Sequence, residues 1–224
     1  RHGKSVWNLE NKFTGWYDIE LAPEGIREAE NAARLLVENN FMPTVCFTSY
    51  LQRANQTLKI ILNHLPIKLV KDSKVIKSWK LNERHYGALQ GLNKKDTKEK
   101  YGEQQFLQWR RSYNIPPPLL NKESPMNPKN DPLYENENKD QLPLTECLKD
   151  TFDRVVPYWK NEIEPLIIEN EVLVAAHGNS LRALCKYLFN IQDKEIVNLE
   201  IPTGNPLLIN LDKSCTIQSA RYLD

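Results

Sequence analysis

Two of the four histidines are each followed directly by a glycine. They are His2, at the start of the chain, and His177, at the end of the apolar run Glu171–His177. Such a run predicts a buried strand, and α/β sheets bind ligands at the carboxyl ends of their strands. A neutral imidazole is a competent nucleophile, and helices that begin after Gly3 and Gly178 would direct N–H groups at an anion. The two histidines therefore indicate chemistry on an anionic group.

Several arginines have glycine, polar or aromatic neighbours instead of the Lys/Glu-rich surroundings of a surface helix: Arg1, Arg53, Arg84, Arg110 and Arg111. A guanidinium group offers a planar fork that matches phosphate oxygens, so several in one pocket would hold a dianion. Taken singly, each is more often a surface charge. The sequence lacks the Gly-x-x-x-x-Gly-Lys-Ser/Thr loop of nucleotide phosphoryl transfer, which leaves a histidine to carry the chemistry.

The other two histidines have weaker contexts. His64 falls near the end of a predicted helix, where a surface position or an interaction with the helix dipole explains it. His85 lies in a polar tract, and both a site role and a structural hydrogen-bonding role stay open. For the neighbouring Glu83, the residues alone favour a surface carboxylate or a salt bridge with Arg84.

The composition is that of an ordinary globular protein. The chain has 224 residues, 40% of them hydrophobic, and 30 Lys+Arg balance 29 Asp+Glu to a formal charge of +1. This balance gives no indication of a nucleic-acid partner, and no apolar run approaches the roughly 20 residues of a membrane span. The four cysteines lack metal-ligand spacing, which predicts reduced core cysteines in a cytosolic protein. They are Cys46, Cys147, Cys185 and Cys215.

Strand and helix patterns alternate along the chain. A helix is predicted from Pro23 to Asn39, with its apolar face at Ile26, Ala29, Ala33, Leu36 and Val37. Residues 44–49 predict a buried strand, and the apolar positions from Leu51 to Leu65 predict a helix after it. The strand 171–177 is likewise followed by a helix, with Leu181, Leu184 and Leu188 on its apolar face. Two strand-to-helix units predict a mostly parallel sheet between helical layers, hence a single three-layer α/β domain over residues 1–224.

The segment from Asn114 to Pro143 interrupts this pattern. It holds seven of the 14 prolines together with many polar residues, which predicts a long inserted loop without a core of its own. Loops of this length in a compact domain are usually functional or disordered.

Longer tracts then point to a known family. The resemblance lies in Arg1-His2-Gly3 with Ser5, Trp7 and Asn8, in residues 13–16, in Thr48-Ser49 with Arg53-Ala54, and in residues 81–94, 108–111, 144–148, 176–182 and 201–204. In this order and over essentially the whole chain, they resemble the cofactor-dependent phosphoglycerate mutase branch of the histidine phosphatase superfamily.

The resemblance implies a role for individual residues. His2 would be the nucleophile that becomes phosphorylated, and Glu83 the general acid/base beside it. Arg1, Asn8, Arg53 and His177 would hold the phosphoryl group in transit. Arg84, Tyr86, Lys94, Arg110 and Arg111 would hold the carboxylate and the second phosphate. Ser5, Thr14, Gly15, Gly178 and Asn179 would line the same pocket.

The resemblance also implies an activity. It is the glycolytic and gluconeogenic interconversion of 3-phosphoglycerate and 2-phosphoglycerate through phosphohistidine, primed by 2,3-bisphosphoglycerate and without a metal. Small phosphoglycerates would be the partners of a cytoplasmic homodimer or homotetramer that binds no nucleic acid or membrane. Two alternatives remain: a bisphosphoglycerate mutase or phosphatase of the same superfamily, and a non-catalytic relative that binds phosphorylated ligands. Ser5 and Gly15 favour the first activity, because bisphosphoglycerate mutases typically carry Gly and Ser at these positions.

Some features depart from the family pattern. Lys4 stands where an acidic or neutral polar residue is usual, which predicts an added positive charge beside His2. Asn205 replaces a commoner aliphatic residue. The family pattern further predicts a strand before Arg1, from a segment of about 5 to 10 residues, and a mobile tail after Asp224.

Overall fold

A three-stranded parallel sheet forms the centre of the computed structural model, which describes residues 1–66 and 73–224. Strand β1 (Val45–Thr48) lies between β2 (Lys74–Lys77) and β3 (Val172–Ala175). Val45 is opposite Lys74 on one side and Val172 on the other, so the three strands end at the same level. The predicted parallel α/β sheet is confirmed.

Helices flank this sheet, and further helices lie in the chain segments between its strands. They are α1 (Pro23–Glu38), α2 (Gln52–His64), α3 (Lys94–Tyr101), α4 (Glu103–Arg111), α5 (Leu148–Tyr158) and α6 (Gly178–Leu188). After α5, which contains Pro157, a π-helical segment (Trp159–Ile163) leads into one further helical turn (Glu164–Ile167). Because proline lacks an N–H donor, it favours such a local change in the helix. No helix within the described residues is long and apolar enough to cross a membrane.

Side chains alternate between the two faces of the central sheet. Val45 and Phe47 point into the largest core cluster, with Val155 of α5 and Leu184 of α6. Cys46 points the opposite way, into a cluster that includes Leu58 of α2. Since residues one apart on a strand face opposite sides, each face of the sheet is covered by its own helical layer. This is the predicted three-layer arrangement.

The structure corrects the buried face predicted for α1. Ile26 and Val37 are 40% and 37% exposed, whereas Gly25, Ala29, Ala32, Ala33, Leu35 and Leu36 are buried. A Cβ on Gly25 would collide with the backbone carbonyl of Lys4. Because the two backbones approach closely at Gly25, the face of α1 that carries the small residues packs against the domain. Ile26 and Val37 lie off this face and are therefore exposed.

Two strands of the fold lie where no strand was predicted, in a second sheet. They are β4 (Leu207–Leu211) and β5 (Ile217–Tyr222), which form an antiparallel hairpin. Strand β2 was not predicted either.

The inserted segment 114–143 packs against the domain. It contains short 3₁₀ turns at Pro128–Asn130, Pro132–Tyr134 and Lys139–Gln141. Tyr134 is 2% exposed and packs against Trp16 and Trp79, and its hydroxyl oxygen accepts a hydrogen bond from Asn82 Nδ2 at 2.9 Å. The segment therefore contributes Tyr134 to a core cluster that it shares with Trp16 and Trp79.

Candidate active site

The carboxyl ends of the three parallel strands bring distant residues together. Arg53 lies in the first turn of α2, after β1, and Glu83 follows β2. His177 directly precedes α6, after β3, and the N–H of His2 donates to the carbonyl of the adjacent Ala176 at 3.0 Å. A cavity of about 200 Å³ opens at this edge of the sheet, where α/β folds bind ligands.

Most of the residues expected from the sequence line this cavity. They are Arg1, His2, Asn8, Thr14, Gly15, Arg53, Glu83, Tyr86, Lys94, Arg110, Arg111, Gly178 and Asn179. Ser5, Arg84 and His177 do not line it, and each is fully buried at 0% exposure.

His2 has the geometry of a neutral nucleophile. Its Nδ1 lies 2.6 Å from the carbonyl oxygen of Gly3. A carbonyl only accepts hydrogen bonds, so Nδ1 carries the proton and Nε2 keeps its lone pair. Nε2 accepts from Arg53 Nε at 3.3 Å. Burial, followed by the charges of Arg53 and Arg1, lowers the pKa of His2 well below its ordinary value.

His177 lies beside His2 and away from the cavity surface. The two rings meet edge to face, with their centroids 5.0 Å apart, and His177 Nε2 is 2.7 Å from Ser49 Oγ. Burial, then Arg53 and then His2, lower the pKa of His177 well below its ordinary value. The ring is therefore neutral and packs against the ring of His2.

Glu83 is only 8% exposed, and hydrogen bonds hold one of its two carboxylate oxygens in place. Its Oε1 accepts hydrogen bonds from the backbone N–H of Arg84 at 2.8 Å and of Asn179 at 3.0 Å. Its Oε2 accepts no hydrogen bond within the described residues, which leaves that oxygen for a proton on a ligand. The alternative of a surface carboxylate is wrong, and the Arg84 guanidinium instead donates to the carbonyl of Trp109 at 2.7 Å.

Cations line the cavity in excess. Arg53 donates to the carbonyls of Tyr17 and Gly15 at 2.9 and 2.7 Å, and Arg1 donates to that of Ile201 at 2.9 Å. Within the ranges 1–66 and 73–224, no carboxylate oxygen lies within 4.0 Å of the charged nitrogens of Arg1, Arg53, Lys94, Arg110 or Arg182. Burial lowers the pKa of Arg53 to about 10, and burial also lowers the pKa of Lys94. Such a group of cations favours a multiply charged anion.

The outer wall of the cavity contains an ion pair and a phenol. Arg111 Nη2 lies 2.6 Å from Glu200 Oε1, and Arg111 lowers the pKa of that carboxylate. Burial raises the pKa of Tyr86, but Arg84, Lys94 and the hydrogen bond with Asn179 together outweigh it, so that the pKa is lowered overall. The Arg84 guanidinium carbon lies 4.2 Å from the centre of the Tyr86 ring.

Ser5 acts on the site through its neighbour. Its Oγ accepts from the N–H of Asn8 at 3.1 Å, and Asn8 Oδ1 accepts from the N–H of Ser5 at 2.9 Å. These bonds cap a single helical turn, Val6–Leu9. The helix predicted after Gly3 is therefore only four residues long.

The prediction for Lys4 is wrong. Its ammonium group bonds to Glu24 Oε1 at 2.5 Å, its side chain is 41% exposed, and it does not line the cavity. For His85, the structure favours the structural alternative. Nδ1 accepts from the N–H of Gly87 at 2.9 Å, and burial, then Arg154, lower the pKa to about 3.

Sequence reasoning missed some lining residues: Lys12, Phe13, Arg182, Leu199, Glu200 and Ile201. Arg182 had a usable signal, because residues three apart on a helix share a face and Asn179 was expected in the pocket. Arg182 Nη1 donates to Asn179 Oδ1 at 2.9 Å, and its Nε is buried with no partner in the described part of the chain. Leu199 and Ile201 carry no such signal.

Comparison with known proteins agrees with this geometry. Residues 1–129 match the model of the histidine phosphatase superfamily (branch 1). The chain belongs to this superfamily. It is 50% identical, over all of its own length and 90% of the relative's, to a protein of Hydrogenobaculum sp. (strain Y04AAS1). That relative is described as a 2,3-bisphosphoglycerate-dependent phosphoglycerate mutase.

Solved structures share the fold at lower identity. A putative alpha-ribazole-5'-P phosphatase from Escherichia coli K-12 is 18% identical with a TM-score of 0.71, covering 100% of this chain and 93% of that one. A mycobacterial glucosyl-3-phosphoglycerate phosphatase is 20% identical with a TM-score of 0.68, covering 99% of this chain and 94% of that one. These similarities concern the fold.

Proposed function

We propose that this chain interconverts 3-phosphoglycerate and 2-phosphoglycerate through a phosphohistidine at His2. The observation that carries the proposal is the 50% identity, over the whole chain, to a 2,3-bisphosphoglycerate-dependent phosphoglycerate mutase. The neutral His2 beside Glu83 in a cationic cavity supports it, since this is what phosphoryl transfer through histidine requires.

The residues present fit 2,3-bisphosphoglycerate. Arg1 and Arg182 each have a buried Nε without a partner among residues 1–66 and 73–224, and both line the cavity. With Arg53, Lys94 and Arg110 they would hold a molecule that carries two phosphates and a carboxylate. When bound, 2,3-bisphosphoglycerate supplies the phosphoryl group that first charges His2.

His2 and Glu83 would divide the chemistry. Phosphorylated His2 gives its phosphoryl group to the free hydroxyl of a phosphoglycerate: the Nε2–P bond breaks, an O–P bond forms, and Glu83 takes the hydroxyl proton. In the opposite half-reaction, His2 Nε2 attacks the phosphorus of the phosphate ester on the neighbouring carbon. The bond between that phosphorus and the ester oxygen breaks, and Glu83 returns the proton to this oxygen. Each half-reaction leaves Glu83 in the protonation state that the other needs.

The arginines and the second histidine would act on charge and on position. Arg53 Nε lies 3.3 Å from His2 Nε2, and with Arg1 it would offset the charge that spreads over the transferring group. His177 fixes the ring of His2 from behind. Lys94, Arg110 and Arg111 would bind the carboxylate and the phosphate that is not transferred.

A coupled assay tests the proposal. Conversion of 3-phosphoglycerate to 2-phosphoglycerate is measured with and without added 2,3-bisphosphoglycerate, alongside bisphosphoglycerate synthase and phosphatase activities of the same preparation. Mutase turnover that depends on 2,3-bisphosphoglycerate and exceeds both other activities supports the proposal. Synthase or phosphatase turnover equal to or above it would favour the sister activities. Because the proposed substrates are small phosphoglycerates, we also propose a cytoplasmic location. We further propose that the chain forms a homodimer or homotetramer, and size-exclusion chromatography with light scattering would test this oligomeric state.

A further inference from the structure

A buried ion pair outside the cavity holds the loop that carries Glu83. Arg154 lies on α5, and Glu146 lies two residues before that helix. Arg154 Nε and Nη2 donate to the two oxygens of Glu146 at 2.7 and 2.9 Å, and the side chains are 6% and 4% exposed. Neither residue lines the cavity, so neither would touch a ligand there.

The same guanidinium group binds the loop backbone. Arg154 Nη1 donates to the carbonyl of Lys80 at 2.8 Å. Its Nη2 also donates to the carbonyls of Asn82 and Glu83, at 3.1 and 2.9 Å. Three carbonyls up to and including that of Glu83 are therefore bound by one rigid, planar group.

Glu146 binds the loop on the other side of Glu83. Its Oε1 accepts from the N–H of His85 at 2.9 Å, and its own N–H donates to the carbonyl of His85 at 2.8 Å. The backbone is thus fixed on both sides of the residue that would move the proton. These contacts lie on both sides of Glu83 along the backbone, and buried ion pairs are in general weak evidence for stability.

The position of the Glu83 carboxylate depends on this fixation. Its Oε1 bonds to the N–H of Asn179, in the first turn of α6. Helices α5 and α6 share the largest core cluster, through Val155 and Ala183 among others. Arg154 therefore connects the loop of Glu83 to the packed pair of helices α5 and α6. The same pair contains Asn179, whose N–H binds Glu83 Oε1.

We infer that Arg154 and Glu146 are positioning residues for Glu83. This inference rests on the proposed function, in which Glu83 transfers a proton to and from the substrate hydroxyl. A displacement of about 1 Å at a reacting group can cost about 100-fold in rate, so loosening the loop would reduce turnover much more than substrate binding.

The test starts with substitutions that keep the fold. Arg154→Lys keeps the positive charge beside Glu146 but removes the fork that binds the loop carbonyls. Glu146→Gln keeps the acceptor for His85 and removes the charge. Lys149→Gln is the matched control, since it breaks an exposed ion pair with Asp153 on the same helix. We expect both positioning variants to lose about 10- to 100-fold in kcat with KM nearly unchanged, and the control to retain wild-type kcat.

A double-mutant cycle with Glu83→Gln separates positioning from a general structural role. If Arg154 acts through the Glu83 carboxyl group, Arg154→Lys lowers kcat in the wild-type background and causes no further loss in the Glu83→Gln background. Equal losses in both backgrounds would overturn the inference, as would an unchanged kcat in the single variant. Urea unfolding verifies that each variant is folded, and Glu146→Gln takes the place of Arg154→Lys in the cycle if the latter does not fold. Absence of mutase activity in the wild type would instead refute the proposed function.

Discussion

At the scale of single residues, the same cations perform two tasks for His2. Burial and the charges of Arg53 and Arg1 keep the imidazole neutral, so its Nε2 lone pair is available at neutral pH. In the proposed reaction, those guanidinium groups would also attract the anionic group that His2 would attack and offset its charge in the transition state. As the proposed nucleophile, His2 would therefore need no separate base to be activated.

Glu83 can be tested by an isosteric change. Glu83→Gln keeps an oxygen that can accept from Arg84 and Asn179 N–H, but it removes the group that exchanges a proton. We expect a loss of about 10²- to 10⁴-fold in kcat, the usual contribution of general acid/base catalysis. Lys4→Gln is the control: Lys4 is paired with Glu24, and its loss should leave kcat unchanged. Steady-state kinetics measure both. Unchanged turnover in Glu83→Gln would make Glu83 a purely structural acceptor.

The substitution Gly15→Ala tests how closely the chain packs at the cavity wall. Its φ is +55°, and a Cβ would collide with Gln90 Oε1, which accepts from the N–H of Trp16 at 2.8 Å. Gly102 has φ +85° and ψ 157°, a region that is essentially restricted to glycine, but nothing lies within 4 Å of a Cβ, so Gly102→Ala measures backbone strain alone, about 1 to 3 kcal/mol. We expect Gly15→Ala to lose more stability than Gly102→Ala in urea unfolding and to lose mutase activity as well. Equal effects of the two substitutions would contradict this account.

At the scale of elements, the site depends on parallel strands that end together. The register places the ends of β1, β2 and β3 side by side, and each strand is followed by one component of the site. The loop after β2 is long and lacks helical hydrogen bonding around Glu83, which is why it needs Arg154, Glu146 and the indole N–H of Trp16, which donates to the Glu83 carbonyl at 2.6 Å. The inserted segment also contacts this loop, because Tyr134 packs against Trp79 and accepts a hydrogen bond from Asn82.

Tyr134 connects the inserted segment to the loop. Because Tyr134 is buried against Trp16 and Trp79, Tyr134→Ala should cost about 3 to 5 kcal/mol of unfolding free energy. Tyr134→Phe keeps the ring and loses only the acceptor for Asn82, which should cost about 1 kcal/mol. Urea unfolding gives both values, and limited proteolysis should cut within 114–143 faster in the alanine variant. Equal proteolysis in the wild type and in Tyr134→Ala would show that Tyr134 does not anchor the segment.

At the scale of the whole molecule, the buried neutral histidines make stability depend on pH. The pKa of His85 is about 3 in the folded protein, below the value of about 6.5 in an unfolded chain. The unfolded state therefore binds the proton first, so the contribution is complete above pH 6.5 and is lost as pH falls towards 3. Within this window, titration of His85 should lower the unfolding free energy by up to about 1.4 kcal/mol per pH unit.

The substitution His85→Asn tests this dependence. The Asn oxygen can replace Nδ1 as the acceptor for the Gly87 N–H, while the titrating ring is removed. Urea unfolding between pH 5.5 and 4.5 should show a slope shallower than that of the wild type by about 1.3 kcal/mol per pH unit. An identical slope in the variant would mean that His85 does not contribute.

The sequence was most informative where apolar runs are strong. Strands β1 and β3 and the helices after them could be predicted because their residues are apolar throughout or follow one helical face. Strand β2 could not, since Lys74 and Lys77 leave only two apolar positions and Val75 is 43% exposed. Periodicity also misplaced Ile26 and Val37, because a close backbone approach at Gly25 decides which face is buried.

The candidate site shows the same division. Motifs identified residues that converge at the strand ends, but they could not show which of these residues are exposed to the cavity. His177 and Arg84 are fully buried and lie behind the residues that form the cavity surface. Leu199 and Ile201 come from an irregular segment whose path depends on the packing of the whole chain. The contacts of Arg154 with the loop likewise depend on how α5 packs, which no local pattern records.

Labelling with phosphate shows directly whether His2 carries the phosphoryl group in the proposed reaction. The protein is incubated with 2,3-bisphosphoglycerate carrying labelled phosphate, denatured, and divided between acid and alkali before the labelled peptide is identified. We predict an acid-labile, base-stable label on His2 that is absent from His2→Ala and is released when 3-phosphoglycerate is added before denaturation. Label that persists in His2→Ala but disappears in His177→Ala would contradict the assignment of the nucleophile.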